Sequence, residues 1–515
     1  MARFTATVVF PVPPFPLATD IIIAAPSQDF ICNLVLKFTL LKEKIMVSLV
    51  KLSFSKKGLF IRIMKGEKFI PLEDGTLYSR RKGFTPLHVP PLKEYAKIVG
   101  EEPIKELKEV SERLSGIKML ELSSTPLGGG VAEMLHSSVP FLNLVGIEDE
   151  WKVIKGSKEF FAVTKTLHHL LQGKKGILTA EAEMVYFSAI KENVASNIID
   201  YEPDVVFVHD PQPLALAREL KRGKEKWIWR CHIDLNGFSL RRNPRLWDFI
   251  TYWAEAFDAA IFTAAYFVIS QWPLPKFIIP PFIDPLSEKN REMSEDEIAK
   301  ELEKEDICTE KPIISQISRF DHWKDPKGVL SIYKKVREKE ECQLTLAGGF
   351  SPDDPEGERV YKELKEMTKD DKDIHILCEC SDSCINAIQR ASSVILQNSK
   401  KEGFGLTVTE AMWKGKPVVA RSVGGIALQI RDGYTGFLIN GEEEAAKRIL
   451  HLLRDPKRRD IVGKRARRYV REHFLLPVRI VDYLLCADFI NKTKGIPEES
   501  IISFHPWFKI SKRVW

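Results

Sequence analysis

Asn398-Ser-Lys-Lys-Glu402-Gly-Phe-Gly-Leu-Thr-Val-Thr-Glu410-Ala-Met-Trp-Lys-Gly-Lys-Pro-Val-Val419 reads as the end of a strand, a glycine loop, a helix and the start of the next strand. An apolar run ending near Leu396 delivers the loop. Its glycines leave the backbone amides from Gly403 to Leu406 available, and the helix beyond them carries Glu410. Glu402 lies in the loop and Glu410 down the helix, so the two acids address different parts of a ligand. A carboxylate accepts from two neighbouring hydroxyls, as on a sugar or a ribose. Two acids at this spacing are common by accident. With these flanking glycines and the following Lys416-Pro-Val-Val419 they are specific.

The same alternation extends outward. In the second half, apolar runs at Pro312–Ile317, Gln343–Ala347, Ile374–Cys378, Ser393–Leu396, Pro417–Ala420 and Gly436–Ile439 alternate with amphipathic stretches. Toward the N-terminus, Pro280-Pro281-Phe-Ile-Asp-Pro285 and the charged stretch Ser287–Glu305 read as a linker. A first series precedes it, with strands expected at Lys118–Ser123, Trp151–Ile154, Val205–Val208, Trp227–Cys231, Ala259–Phe262 and Phe277–Ile279. The fold class is therefore α/β, with two doubly wound Rossmann-like domains facing across a cleft. The expected divisions are an extension over 1–85, a first domain over 86–285, a second over 286–475, and a closing segment, 476–515, whose helix crosses back onto the first domain.

In such sheets ligands sit beyond the carboxyl ends of the strands. Lys118–Ser123 leads to Gly128, Gly129 and Gly130 at a helix start, where amides and the helix dipole favour an anion. Val205–Val208 leads to His209 and Asp210, and Trp227–Cys231 leads to His232 and Asp234, a set suited to a polar substrate. Pro312–Ile317 leads to Arg319 and Lys324, a planar fork and a mobile point charge that suit a departing diphosphate.

Composition narrows the function classes. Lys and Arg number 77 against 71 Asp and Glu, a formal charge of +6 spread along 515 residues, so a dedicated nucleic-acid binder is not expected. The basic stretch Lys447–Arg471 has helical apolar spacing and reads as a solvated helix face. Abundant Lys and Glu with few Gln lean toward a heat-adapted source. The eight cysteines form no disulfide framework, and Cys378, Cys380 and Cys384 beside His375 lack the usual zinc spacing, so no metal site is expected. The prolines at 11, 13, 14 and 16 break the apolar N-terminus; no membrane span is expected, a cytoplasmic location is, and the preferred start of the chain is Met46 or Met64.

The chain resembles the retaining glycosyltransferases of family four, whose fold is GT-B, and is most similar to the trehalose-synthesising members. The resemblance covers about residues 90–490. It rests on Gly128–Leu135, His209–Pro213, Trp229–Leu235, Pro281–Asn290, Ser318–Asp325, Asp353–Gly357 and Glu402–Gly415. It implies transfer of glucose from ADP-, UDP- or GDP-glucose to free glucose, forming α,α-trehalose reversibly, with a trehalose phosphorylase as the alternative. Arg319 and Lys324 would neutralise the donor diphosphate and Glu410 would hold the ribose. Glu402 with Gly403, Phe404 and Gly405 would hold the glucose hydroxyls, and His232 would lie near the reacting carbon. Asp210, with Asp234 nearby, would hold the acceptor, and the loop at Gly129 and Gly130 would approach the phosphate. No cofactor or metal is implied, and a homodimer is allowed. The family often has an arginine where this chain has Lys401, and segment 236–244 departs from it. Domain closure would assemble the site, and an open ligand-free form is expected.

Overall fold

Met-Leu-Glu-Leu, Val-Val-Phe-Val and Trp-Ile-Trp are apolar runs broken only by Glu121, rather than alternating ones, as strands covered on both faces require. In the computed structural model they become Lys118–Ser123, Val205–His209 and Lys226–Cys231, the centre of an eight-stranded sheet. The structure describes residues 76–79, 89–235, 243–268, 271–349, 356–493 and 495–504, with the backbone of six strands before residue 70. Segments 236–242 and 350–355, which carry part of the sequence argument, lie outside the described residues.

Two units divide the chain: Met1–Ile70 with Arg81–Phe84, and Pro71–Arg80 with Thr85–Trp515. In the first, Arg3–Ala6 pairs antiparallel with Ile21–Ala24. Leu34–Thr39, Met46–Ser55, Gly58–Lys65 and Lys68–Phe69 follow one another in a second antiparallel set.

The second unit holds both α/β halves. Its first sheet runs in the order Ile501–Ile502, Lys276–Ile278, Ala259–Phe262, Lys226–Cys231, Val205–His209, Lys118–Ser123, Glu148–Val153 and Thr76–Tyr78. All neighbours are parallel except the last pair. Thr76–Tyr78 thus belongs to this sheet although it lies upstream of the boundary at 86 that composition suggests; three residues are too few to show a period. The second sheet, Ile374–Cys378, Gln343–Gly348, Ile313–Ile317, Val394–Gln397, Val418–Arg421 and Phe437–Ile439, is wholly parallel.

Strand side chains alternate between faces. Leu120, Leu122, Val206, Val208, Trp227, Trp229 and Phe262 fill one core, and Met119, Val205, Phe207, Ile228, Ile261 and Phe277 the other. The first core continues into the second half through Phe404, Val408, Met412 and Phe474. The second is roofed by the helix Leu476–Lys492, whose Ile480, Tyr483, Leu484 and Ile490 are buried against the first sheet, with Tyr483 stacked on Phe207 at 4.3 Å. Burying side chains of this size stabilises by about 1.5–3 kcal/mol each.

Candidate active site

Sealed among the strands of the first sheet lies a line of polar groups. Glu121 is fully buried, and its Oε2 meets His209 Nε2 at 2.6 Å. Nδ1 of His209 lies 3.1 Å from Nε2 of His232, the two rings stacked within 11° of parallel. Burial, then the positive charge of Arg230, pushes His209 down to about 3 and His232 well below its ordinary value. Both imidazoles are therefore neutral near pH 7. Asp210 follows in a left-handed conformation, φ 61°, that few side chains tolerate. That turn aims its Oδ1 at the His232 amide, 2.8 Å away, while its carbonyl accepts from Trp229 Nε1 at 3.0 Å. Burial raises the Asp210 carboxyl to about 6. Asp234 is half-buried on the same edge and acts electrostatically on Tyr266.

In the second half, Lys324 and Glu402 form an ion pair that is nearly buried on both sides, with Ser399 Oγ donating to the same carboxylate oxygen at 3.3 Å. Arg319 does not join that pair directly. It is half-exposed and reaches Asp321 at 3.4 Å, and Asp321 in turn accepts from the Lys324 amide at 3.0 Å. One buried aspartate thus holds the Arg319 guanidinium and the Lys324 backbone beyond the same strand. The Glu402 loop is pressed into shape by Gly424, whose φ is +48° and where a Cβ would stand 1.7 Å from the Glu402 carbonyl oxygen. Gly425 N–H donates to the Gly403 carbonyl at 2.8 Å. Gly405, φ +85°, turns the chain into the helix Leu406–Trp413. Phe404 is packed on Phe474 at 5.6 Å, so its ring is core and only its backbone faces the loop.

Glu410 belongs to a separate cluster. It is fully buried, neither oxygen accepts a hydrogen bond among the described residues, and Lys289 Nζ stands 3.8 Å away while bonding Glu133 at 2.9 Å. Burial raises Glu410 to about 8, with Lys289 opposing. Burial also lowers Lys414 to about 7. The paired acids of the sequence thus serve two networks, one around Lys324 and one around Lys289.

The halves touch across the cleft. A Cβ on Gly403 would lie 2.9 Å from the His232 carbonyl oxygen, and one on Gly130 would lie 3.3 Å from Leu406. Tyr266 donates its hydroxyl to the Gly424 carbonyl at 3.0 Å. Lys401 donates to the Gln172 carbonyl at 2.6 Å, with its amine 5.0 Å over the Trp323 ring. This is a closed arrangement, not the open one expected from sequence; direct bonds from Lys401 and Tyr266 hold it. Gly129 and Gly130 are exposed at the start of the helix Gly130–Leu144.

Sequence reasoning missed Glu121, Arg230, Lys289 and Glu133. Glu121 and Arg230 had a signal, a charge inside an otherwise apolar strand; Lys289 and Glu133 meet only through the fold. Among the described residues no group of three or more His, Cys, Asp or Glu side chains is placed to hold a metal ion, and Cys378, Cys380 and Cys384 form no disulfide.

Two doubly wound halves that meet at their strand ends form the GT-B fold, and the match to glycosyl transferases group 1 together with relatives named trehalose synthase makes the chain a hexosyltransferase. Solved structures agree on the fold: sucrose-phosphate synthase from Thermosynechococcus elongatus (TM-score 0.58, 17% identity, 73% of this chain and 100% of that one) and Anabaena HepE in complex with UDP and glucose (TM-score 0.53, 16%, 72% and 100%). Residues 121–269 match the family described as trehalose synthase, N-terminal domain, and residues 297–469 match glycosyl transferases group 1. Trehalose synthase from Pyrococcus horikoshii is 45% identical over 411 residues, 78% of this chain and 97% of that protein. Trehalose synthase from Rubrobacter xylanophilus is 39% identical over 403 residues, 76% and 95%. The chain belongs to the trehalose synthase family.

Proposed function

We propose that the protein transfers glucose from a nucleoside diphosphate glucose to free glucose, forming α,α-trehalose reversibly and with retention at the donor carbon. The observation that carries this reading is the approach of Gly403, beside the Lys324–Glu402 pair, to the carbonyl of His232. It supports a cleft in which residues of both halves can reach one bound nucleotide sugar.

Arg319 and Lys324 neutralise the leaving diphosphate, and the amides of Gly129 and Gly130 approach it from the other wall. Glu402 with the backbone of Gly403, Phe404, Gly405 and Leu406 orients the transferred glucose, and Glu410 takes the ribose hydroxyls. His232 stands by the reacting carbon, while Asp210 and Asp234 hold the acceptor. Attack comes from the face the diphosphate leaves, whose oxygen takes the acceptor proton, so positioning and charge do the work without a metal. The first α/β domain serves the acceptor, the second the nucleotide sugar, and residues up to 85 take no part. Relatives named trehalose synthase and the HepE complex with UDP and glucose support the reaction and a nucleotide donor. ADP-, UDP- and GDP-glucose are the candidate donors. No helix is long and apolar enough to cross a membrane among the described residues. A cytoplasmic protein, monomeric or homodimeric, fits this role.

A phosphorylase reading has weaker support: trehalose phosphorylase from Pleurotus pulmonarius is 29% identical and the match spans 54% of it. One incubation series separates the two. Glucose with each donor, in EDTA, is expected to yield trehalose with at least one; no trehalose from any donor overturns the proposal. Trehalose with inorganic phosphate is expected to give no glucose 1-phosphate.

A further inference from the structure

Glu410 is sealed in the fold, yet neither of its oxygens accepts a hydrogen bond among the described residues. Native structures rarely leave a buried carboxyl in that state, and a bound ligand is one thing that completes it. Lys289, from the junction between the halves, places its Nζ 3.8 Å from Glu410 Oε1. That separation is too long for a hydrogen bond. It fits the span that a single oxygen bridges when it sits about 2.8–3.0 Å from each partner.

The protein holds this gap open. Lys289 Nζ donates to Glu133 of the first half at 2.9 Å, and Asp382 stands 3.9 Å away, beyond hydrogen-bond reach. An ammonium has three donors, so among the described residues Glu133 leaves Lys289 with donors to spare. The backbone around Lys289 is pinned on both sides. Asn386 Nδ2 donates to the Glu288 carbonyl at 3.0 Å, and Trp413 Nε1 donates to the Asn290 carbonyl at 3.1 Å. Trp413 ends the helix that carries Glu410, so lysine and carboxyl keep a fixed relation. Side-chain exposure rises outward, from 0% at Glu410 through 19% at Lys289 to 39% at Glu133 and 57% at Asp382. Lys289 therefore lies between the sealed acid and the rim.

We propose that Lys289 is a donor-binding residue: one ribose hydroxyl of the nucleotide sugar enters the gap, donating to Glu410 and accepting from Lys289. This role rests on the nucleotide-sugar reading above and adds a second partner to the ribose contact. A hydroxyl needs an acceptor on one side and a donor on the other, and the pair supplies both. A carboxyl keeps an acceptor oxygen with or without its proton, so the contact stands in either form of Glu410. A methylene in the same place would leave both groups unpaired, which such sites reject strongly. The pair thus selects ribose over deoxyribose.

Calorimetric titration of the full-length protein with UDP, ADP and GDP identifies the tightest nucleotide, which is then compared with its 2′-deoxy and 3′-deoxy forms. Wild type is expected to bind one deoxy form about tenfold or more weakly. Lys289→Met is expected to bind the parent nucleotide about 10- to 100-fold more weakly, the range for a lost charged hydrogen bond, and to lose most of its preference over that deoxy form. Glu133→Gln keeps an acceptor for the lysine amine while removing the charge of a half-exposed pair, and is expected to bind both forms within about twofold of wild type. A Glu133→Gln loss matching that of Lys289→Met would make Lys289 a tie between the halves and overturn the contact. A Lys289→Met protein with the full wild-type preference overturns it too. Equal binding of all three forms by wild type does so without any variant, even where Lys289→Met fails to fold. A wild type that binds none of the nucleotides overturns the donor reading as well, whereas binding without discrimination counts against Lys289 alone.

Discussion

Asp210 combines two unfavourable features, a left-handed backbone and a half-buried carboxylate, at the position proposed to hold the acceptor. Because its folded-state pKa lies above the unfolded value, it binds its proton more tightly when folded. Stability therefore falls as pH rises from about 4 to about 6, and above that the charge costs its full amount. Asp210→Asn keeps an oxygen for the His232 amide, tolerates the left-handed turn and removes the charge. It is expected to stabilise by about 2 kcal/mol at pH 8, with the gain gone below pH 4, and to slow trehalose formation. Urea midpoints at the two pH values check this; an equal shift at both would be inconsistent with it. At this scale the sequence made Asp210, His232, Lys324 and Glu402 legible because each follows an apolar run. Glu121 and Arg230 escaped because they lie inside such runs, where meaning comes from partners on neighbouring strands.

Most strands are legible to within a residue or two, since a run buried on both faces admits few other readings. Strand edges such as Thr76–Tyr78 and Ile501–Ile502 are too short to announce themselves and exist only because a neighbouring strand offers hydrogen bonds. One helix contact is more demanding than its sequence suggests. Gly463, inside the helix Pro456–His473, lies so close to the end of Leu406–Trp413 that a Cβ there would fall 1.9 Å from the Gly415 carbonyl oxygen. Gly463→Ala must separate these helices at a cost of about 1–3 kcal/mol. A lower melting temperature is expected, by about 2–4 °C for each kcal/mol. An unchanged one would show that the helices can slide apart freely.

Across the molecule, Lys401 makes one of the hydrogen bonds that join the two halves among the described residues. Its amine is spent on the Gln172 carbonyl of the opposite half, so at this position a lysine works as a clasp. Lys401→Met removes a charge-assisted hydrogen bond worth about 1 kcal/mol at a half-buried site, lowering the closed-to-open ratio about fivefold. Closure excludes water from the donor. Release of glucose from the nucleotide sugar without acceptor is accordingly expected to rise severalfold relative to transfer; a ratio equal to wild type would dissociate Lys401 from closure.

The roof formed by Leu476–Lys492 also sets a schedule for synthesis. Phe207, Ile228, Ile261 and Phe277 are translated well before the helix that covers them, with the whole second half lying between. At roughly 5–20 residues per second, that apolar face waits about 10–40 s on the ribosome. The first half of this enzyme therefore emerges unfinished, and its nascent chain is a natural client for chaperones until the last helix arrives.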